Sequence, residues 1–385
     1  MTKPNDLSRS FAPLEQGATI VAVVELSSAS WLVAGTVPGI ERQPLKRLEP
    51  DPEALLRLIQ RWRDEAAGKG ADPRRIALAY EAGRDGFWLA RWLRRRGVEA
   101  HVIHPTSIAV SREHKRAKTD RLDTALLMRA FLGWLRGETG HCRMAPVPTL
   151  FEEDAKRPSR EHETLAGECT RVINRLRAAL VRLGVRGFNP ALVSARGRLE
   201  TLRTPDGEAI PPHTLREMNN DLARLAFVRA QMKEIERTRL ERVREAPAAG
   251  TNPTVLALTR VVGIGAETAD MLAHEVMARD LRDRRAVARL AGLTGSPDES
   301  GARRREKGLS KAGNARVRRG MIELAWRFLQ HQKGSELARW FRSRVEAGGK
   351  RGKTMVVALA RKLLIALWRM VRTGEVPRGV VVRPA

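Results

Sequence analysis

The chain is poor in the residues on which several chemistries depend. It has one tyrosine and two cysteines in 385 residues. The tyrosine is Tyr80, inside the apolar run RIALAYEAG, which has the composition of a buried strand. A nucleophilic tyrosine would have to be this one, so the sequence disfavours recombination through a tyrosine–DNA link. Cys142 and Cys169 are too few for a disulfide scaffold or a four-cysteine zinc site. Long apolar runs are missing too, since MVVALARKLLIALW is broken by Arg361 and Lys362 and does not suit a membrane span. The N-terminal MTKPNDLSRSFAPLEQ lacks the apolar core of a secretory leader. These absences predict a soluble, reduced, cytoplasmic protein with no membrane partner.

Acidic residues are scarce relative to basic ones: Asp and Glu number 44 against 71 Lys and Arg, a formal net charge of +27. So large an excess repels itself in a compact state and points to a polyanion as partner. It is also uneven. From Gly301 to Ala385 there are 22 basic and 5 acidic side chains, an excess of 17, which places much of the polyanion contact there.

At roughly 150 residues per domain the length suggests two or three domains. The apolar runs TIVAVV (19–24) and WLVAG (31–35) predict two strands forming a hairpin. A helix follows from Asp51, its N-cap, with Pro52 in the first turn. Then come a strand Ile76–Tyr80, a helix over 86–95, a strand Val98–Ile103 and a helix capped by Thr119. This alternation predicts an α/β sheet domain over residues 18–147. Residues 158–245 predict a helical, coiled-coil arm. Its first helix carries Leu165, Val172, Ile173, Leu176 and Leu180, and its second Leu215, Met218, Leu222 and Leu225. A mainly helical C-terminal domain over 250–375 completes the chain.

Three groups of residues could carry chemistry. Glu25 and Glu81 end predicted strands, and Asp120 and Asp123 stand three apart at a helix start, on one face. Four carboxylates from these places could hold a pair of Mg²⁺ ions, about 4 Å apart, suited to activating one oxygen and stabilising another. Helix-start acids are also favoured by the helix dipole alone. Next, VVGIGAETADML has the glycine spacing of a helix-hairpin-helix, in which Gly263 and Gly265 would offer backbone N–H groups to a phosphate. A plain helix connection gives the same letters. Last, Ser300 lies in a Glu-Ser-Gly turn followed by Arg303, Arg304, Arg305, Lys307, Lys311, Arg316, Arg318 and Arg319. A serine among cations can attack phosphorus while arginines stabilise the developing charge. It can equally be a turn serine beside a phosphate-gripping loop. Lys118 adds a cation beside Asp120.

Taken together, EAGRDGFWLARWL, VEAHVIHPTSIAVSREHKRAKTDRLDTALL, VVGIGAETADML, LAGLTGSPDESGARRREKGLSKAGNARVRRG and GKTMVVALARKLLIALWRM resemble, in order and over nearly the whole length, the transposases of the IS110/IS1111 group of insertion sequences. The resemblance implies an RNase H-like (RuvC-like) first domain with a DEDD metal site for Mg²⁺. It also implies a coiled-coil segment and a C-terminal domain holding a nucleophilic serine. By motif position Glu25, Glu81, Asp120 and Asp123 fill the metal site and Ser300 the nucleophile. The partners implied are DNA, a guide RNA from the element's own non-coding end, and further copies of the chain, dimers assembling to a tetramer at the nucleoid. One departure stands out: the group's first acid is usually Asp, and here it is Glu25, one methylene longer. Two other functions fit the same residues: a metal-dependent junction nuclease cutting by hydrolysis, and a nucleic-acid-binding protein without catalysis.

Overall fold

The computed structural model of the chain describes residues 9, 10, 12, 14–83, 86–108, 119–300, 303–310, 312–348 and 352–384; at 106, 297–300, 303–307 and 353 it describes the backbone alone. The chain divides into two compact units, 1–153 and 154–385.

The first unit is built on a six-stranded sheet. Strand β1 (Thr19–Leu26) pairs antiparallel with β2 (Trp31–Thr36), the expected hairpin, and β2 pairs antiparallel with β3 (Leu45–Leu48). Helix α1 (Pro52–Gly68) follows, its N-cap Asp51 accepting hydrogen bonds from the N–H groups of Glu53 and Ala54 at 2.9 and 3.0 Å. Strand β4 (Arg75–Glu81) lies parallel to β1. After α2 (Trp88–Arg94) comes β5 (Glu99–Ile103), parallel to β4. Helix α3 (Asp120–Leu135) begins at Thr119, whose hydroxyl accepts from the N–H of Leu122 at 3.3 Å. Strand β6 (Met144–Ala145) closes the far edge, giving the order β3-β2-β1-β4-β5-β6, and α4 (Leu150–Asp154) stands at the boundary of the units.

Because successive side chains of a strand face opposite ways, the two central strands feed two cores. Ile20, Ala22, Val24, Leu78 and Tyr80 pack with Leu55, Ile59 and Trp62 of α1 and Leu89 and Leu93 of α2. Val21, Val23, Ala77 and Ala79 pack on the other face with Leu127, Phe131 and Leu135 of α3. Helices thus cover both faces. The sheet is tight against α1: a methyl on Gly35 of β2 would come within 2.6 Å of the Trp62 ring. Tyr80 is fully buried. Its hydroxyl donates to the carbonyl of Gly86 and accepts from the N–H of Ala90, both at 3.1 Å, so it ties β4 to the start of α2.

In the second unit the long helices α5 (Arg157–Arg182) and α7 (Pro212–Glu245) pack against each other through Leu176, Leu180, Met218 and Leu222, and are called the arm below. The 29-residue segment between them carries the short helix α6 (Ala195–Leu199). Helices α8 (Asn252–Thr259), α9 (Ala266–Leu272) and α10 (Arg284–Leu290) follow. Next is a hairpin of β7 (Gly295–Ser300) and β8 (Arg303–Leu309), and then α11 (Ala315–His331), α12 (Glu336–Gly348) and α13 (Gly352–Thr373). The core is helical: Val317, Met321, Leu324 and Phe328 of α11 meet Leu359, Leu363 and Leu367 of α13 and Val255 and Leu258 of α8. Among the described residues no helix is long and apolar enough to cross a membrane.

The burial of Tyr80 makes a prediction. Tyr80→Phe keeps the ring in the core but leaves the N–H of Ala90 without its acceptor, a loss of about 1–3 kcal/mol. Urea unfolding of the variant should show that loss.

Candidate nucleic-acid-processing site

The four carboxylates belong to the first unit, and the strand register shows how they are arranged. Val24 pairs with Tyr80, so Glu25 and Glu81 are the next residues of two adjacent parallel strands. Both continue the series Val21, Val23 and Ala77, Ala79, which faces α3. Across the sheet Glu25 pairs with Leu32, and Leu32 with Arg47 of β3, one row over three strands. Arg47 in turn stands 3.8 Å from the carboxylate of Asp120, in the first turn of α3. That contact puts the start of α3 over the Glu25 end of the sheet, with half-buried Asp123 one turn further on. Glu25, Glu81, Asp120 and Asp123 therefore share one end of one face. They do not converge on a point: among the described residues no group of three or more His, Cys, Asp or Glu side chains is disposed to hold a metal ion.

Ser300 belongs to the second unit and closes β7, paired with Arg303, the first residue of β8. Sequence reasoning made this segment a turn and a basic loop. It is instead a two-stranded ribbon in which Glu299 pairs with Arg304 and Asp298 with Arg305. The signal was present in the letters: an acidic run and a basic run flank Gly-Ala at a spacing that sets opposite charges across from each other. Arg303, Arg304, Arg305 and Lys307 are on β8, where only the backbone is described, while Lys118 and Lys311 lie outside the described residues.

The root of the ribbon is closely fitted. The N–H of Ser310 donates to the carbonyl of Thr294 at 3.0 Å, and that of Asn314 to the carbonyl of Leu290 at 2.6 Å. Gly292 (φ +63°) and Gly313 (φ +93°) face each other there. A methyl on Gly313 would stand 2.5 Å from the carbonyl oxygens of Arg289 and Leu290, and one on Gly292 would strike Ala312 and the Arg318 guanidinium. Both positions thus need glycine for conformation and for space. Asn314 caps α11 by accepting from the N–H groups of Arg316 and Val317 at 3.0 and 3.3 Å. Arg316 and Arg319, expected to meet phosphate, both pair with Glu163 of α5, Arg316 at 2.5 Å. Nothing in the local sequence announces that pair, whose members are 153 positions apart.

The Val-Gly-Ile-Gly turn, expected to belong to a helix-hairpin-helix, joins α8 to α9. Gly263 adopts φ +96°, and a methyl there would touch His331 of α11 at 3.2 Å. The N–H of Val262 donates to the carbonyl of Val381, and that of Ile264 to the carbonyl of Val261. The turn is therefore packed into the helical body on that side, while Gly265, at the start of α9, faces open space.

The family signal covers this region. The sequence model described as "Transposase IS116/IS110/IS902 family" matches residues 256–340. Over 380 residues, 96% of each chain, the protein is 38% identical to "Putative transposase y4rJ" of Sinorhizobium fredii (strain NBRC 101917 / NGR234). The chain belongs to the IS110 family of transposases.

In this transposase the stretch matched by the family model runs from α8 into α12 and includes the whole ribbon and both glycines of its root. It also contributes to a buried charge cluster. Arg239 of α7 and Asp270 of α9 are each 1% exposed and stand 3.4 Å apart. Arg239 also pairs with Glu267, and Ser159 of α5 donates to Glu267 at 3.0 Å. His274 meets the Asp270 carboxylate at 3.4 Å and its carbonyl at 3.0 Å. Burial lowers the His274 pKa, but the contacts with Asp270 outweigh it and raise the value above the ordinary 6.5.

Two predictions follow from this geometry. Gly313→Ala should destabilise the second unit by more than about 1 kcal/mol, read as a lower thermal midpoint. The charged form of His274 contributes stability that is fully present below about pH 6.5, its unfolded value, and is lost as pH rises through its higher folded value. The thermal midpoint should therefore fall as pH rises from about 6 to 8, and His274→Gln should flatten that dependence.

Proposed function

We propose that this transposase cuts and rejoins DNA strands through Ser300, assisted by the carboxylate end of the first unit and directed by an RNA encoded by the same element. The observation that carries this reading is the ribbon: Ser300 ends a strand directly across from the first of three consecutive arginines, inside the segment the family model matches. In the reaction the serine oxygen attacks a DNA phosphorus and the bond to a departing sugar oxygen breaks. The serine proton passes to a base and the leaving oxygen takes one up. The resulting phosphoserine conserves the energy of the broken bond, so a second sugar hydroxyl can attack it and free the serine without ATP. The arginines of β8 would neutralise the phosphate as charge develops.

Several features of the first unit support an RNase H-like reading: the strand order 3-2-1-4-5, two antiparallel pairs followed by parallel ones, and helices on both faces. Its carboxylates are the hard oxygen donors that Mg²⁺ takes, and a bound Mg²⁺ would polarise a phosphate or favour an ionised hydroxyl. Asp120 would have to leave Arg47 to join such a site. The excess of basic over acidic side chains is consistent with an RNA cargo as well as DNA. Exposed Val181 and Phe227 on the arm suit contacts between copies in a dimer or tetramer.

An adduct trap tests the serine. The protein, purified with its accompanying RNA, is incubated with labelled circle-junction DNA and Mg²⁺ and run on a denaturing gel. A covalent band that is absent in Ser300→Ala is expected, and Asp120→Asn should lose cleavage as well. Free cut ends without a band would overturn the covalent route in favour of hydrolysis.

A further inference from the structure

A second basic surface lies far in sequence from the ribbon, at the end of the arm. Between Arg171 and Arg203 the chain has eight arginines and a single acid, Glu200. The excess of seven is about a quarter of the net charge of +27, held in 33 residues. The rest of the arm is different: α7 carries eight basic and six acidic side chains over His213–Glu245, the mixed pattern of an ordinary solvated helix.

The residues displaying this charge form a folded cap. Val185, Phe188, Ala195, Leu199 and Ile210 are buried against Leu176, Leu180, Met218 and Leu222 of the two arm helices. The first helix ends at Gly184 (φ +71°), where a methyl would strike the Pro205 ring at 2.6 Å. Arg182, Arg186, Arg196 and Arg198 are exposed on this scaffold, and among the described residues none has an ion-pair partner. One row back, buried Asp221 takes two guanidinia: Arg175 in a fork at 2.5 and 2.6 Å, and Arg224 at 3.1 Å. One carboxylate thus answers two cations, and that row stays positive. Between Arg186 and Arg196, Leu192 and Val193 project from the cap, Val193 almost wholly exposed.

We propose that this cap is a second nucleic-acid contact, gripping the phosphodiester backbone of a double-helical segment apart from the strands being cut. Every cation is arginine, whose planar fork matches two phosphate oxygens, and none is lysine. The side chains rise from a packed scaffold, so less ordering is needed on binding. The proposal rests on the reading of the chain as a nucleic-acid enzyme, but it concerns binding alone. A DNA end and an RNA stem present the same backbone, and the experiment separates them.

Full-length protein carrying Ser300→Ala is compared with the same protein also carrying R186E, R196E and R198E. Fluorescence anisotropy follows a random-sequence DNA duplex and, separately, an RNA stem-loop of equal length over a salt series without Mg²⁺. The charge reversals should weaken binding about tenfold or more on at least one probe, and reduce the slope of log affinity against log salt by about three, one per lost phosphate contact. The probe affected identifies the source. R186K, R196K and R198K should keep most of the slope, and an unchanged circular dichroism melt shows the fold intact. Equal affinity and slope on both probes would overturn the proposal. So would unchanged binding with an altered sedimentation mass, which would make the cap a contact between copies. Because nothing is cut in the assay, a missing serine adduct would count against the catalytic reading only.

Discussion

The second unit depends on the burial of one guanidinium. Arg239 has almost no contact with water, and a charge so placed costs several kcal/mol unless opposite charges meet it. Glu267 and Asp270, a turn apart on α9, supply them. That requirement fixes α7 against α9, and the hydroxyl of Ser159 brings α5 to the Glu267 carboxylate. Glu163, one turn along α5 from Ser159, then holds Arg316 and Arg319 at the start of α11. Since α11 begins one residue after Asn314, whose N–H closes the ribbon root, the chain of charges runs from the arm to the element that carries Ser300. Hydrophobic packing alone would let these helices slide; paired charges without water give them one register.

Much of the first unit was legible in the sequence because its central strands are buried on both faces. TIVAVV and RIALAY are nearly continuous apolar runs, and Asp51 and Thr119 mark helix starts by side-chain chemistry that is local in sequence. β3 escaped notice because LKRL is short and mostly exposed, with a charged pattern that a loop shares. The same small strand supplies Arg47, so a side chain that meets Asp120 was hidden with it. The ribbon was missed for a different reason. Arginine has no preference for strands, and only the register across the turn explains why three of them follow two acids.

The candidate site was legible unevenly. Residue chemistry pointed to carboxylates at strand ends, and the register places two of them side by side. Ser300, in contrast, stood out only as a serine among cations that a phosphate-gripping loop would explain equally well, and it was the likeness to a transposase family that implied a nucleophile there. The pairing of Arg316 and Arg319 with Glu163 shows what composition cannot reveal: a cation inside a basic segment can be committed to the fold itself. Counting charge locates a nucleic-acid face, while the ion pairs decide which members of the count remain available to it.

The two glycines at the ribbon root have a mechanical consequence. From Gly295 to Ser300 the strand advances five residues, about 17 Å at the usual rise. Over that length a tilt of about ten degrees at the root carries the far end about 3 Å, a hydrogen-bond length. The close fit of Gly292 and Gly313 against the carbonyl oxygens around them therefore acts as the bearing of a lever, and it sets from the root where the far end of the strand lies.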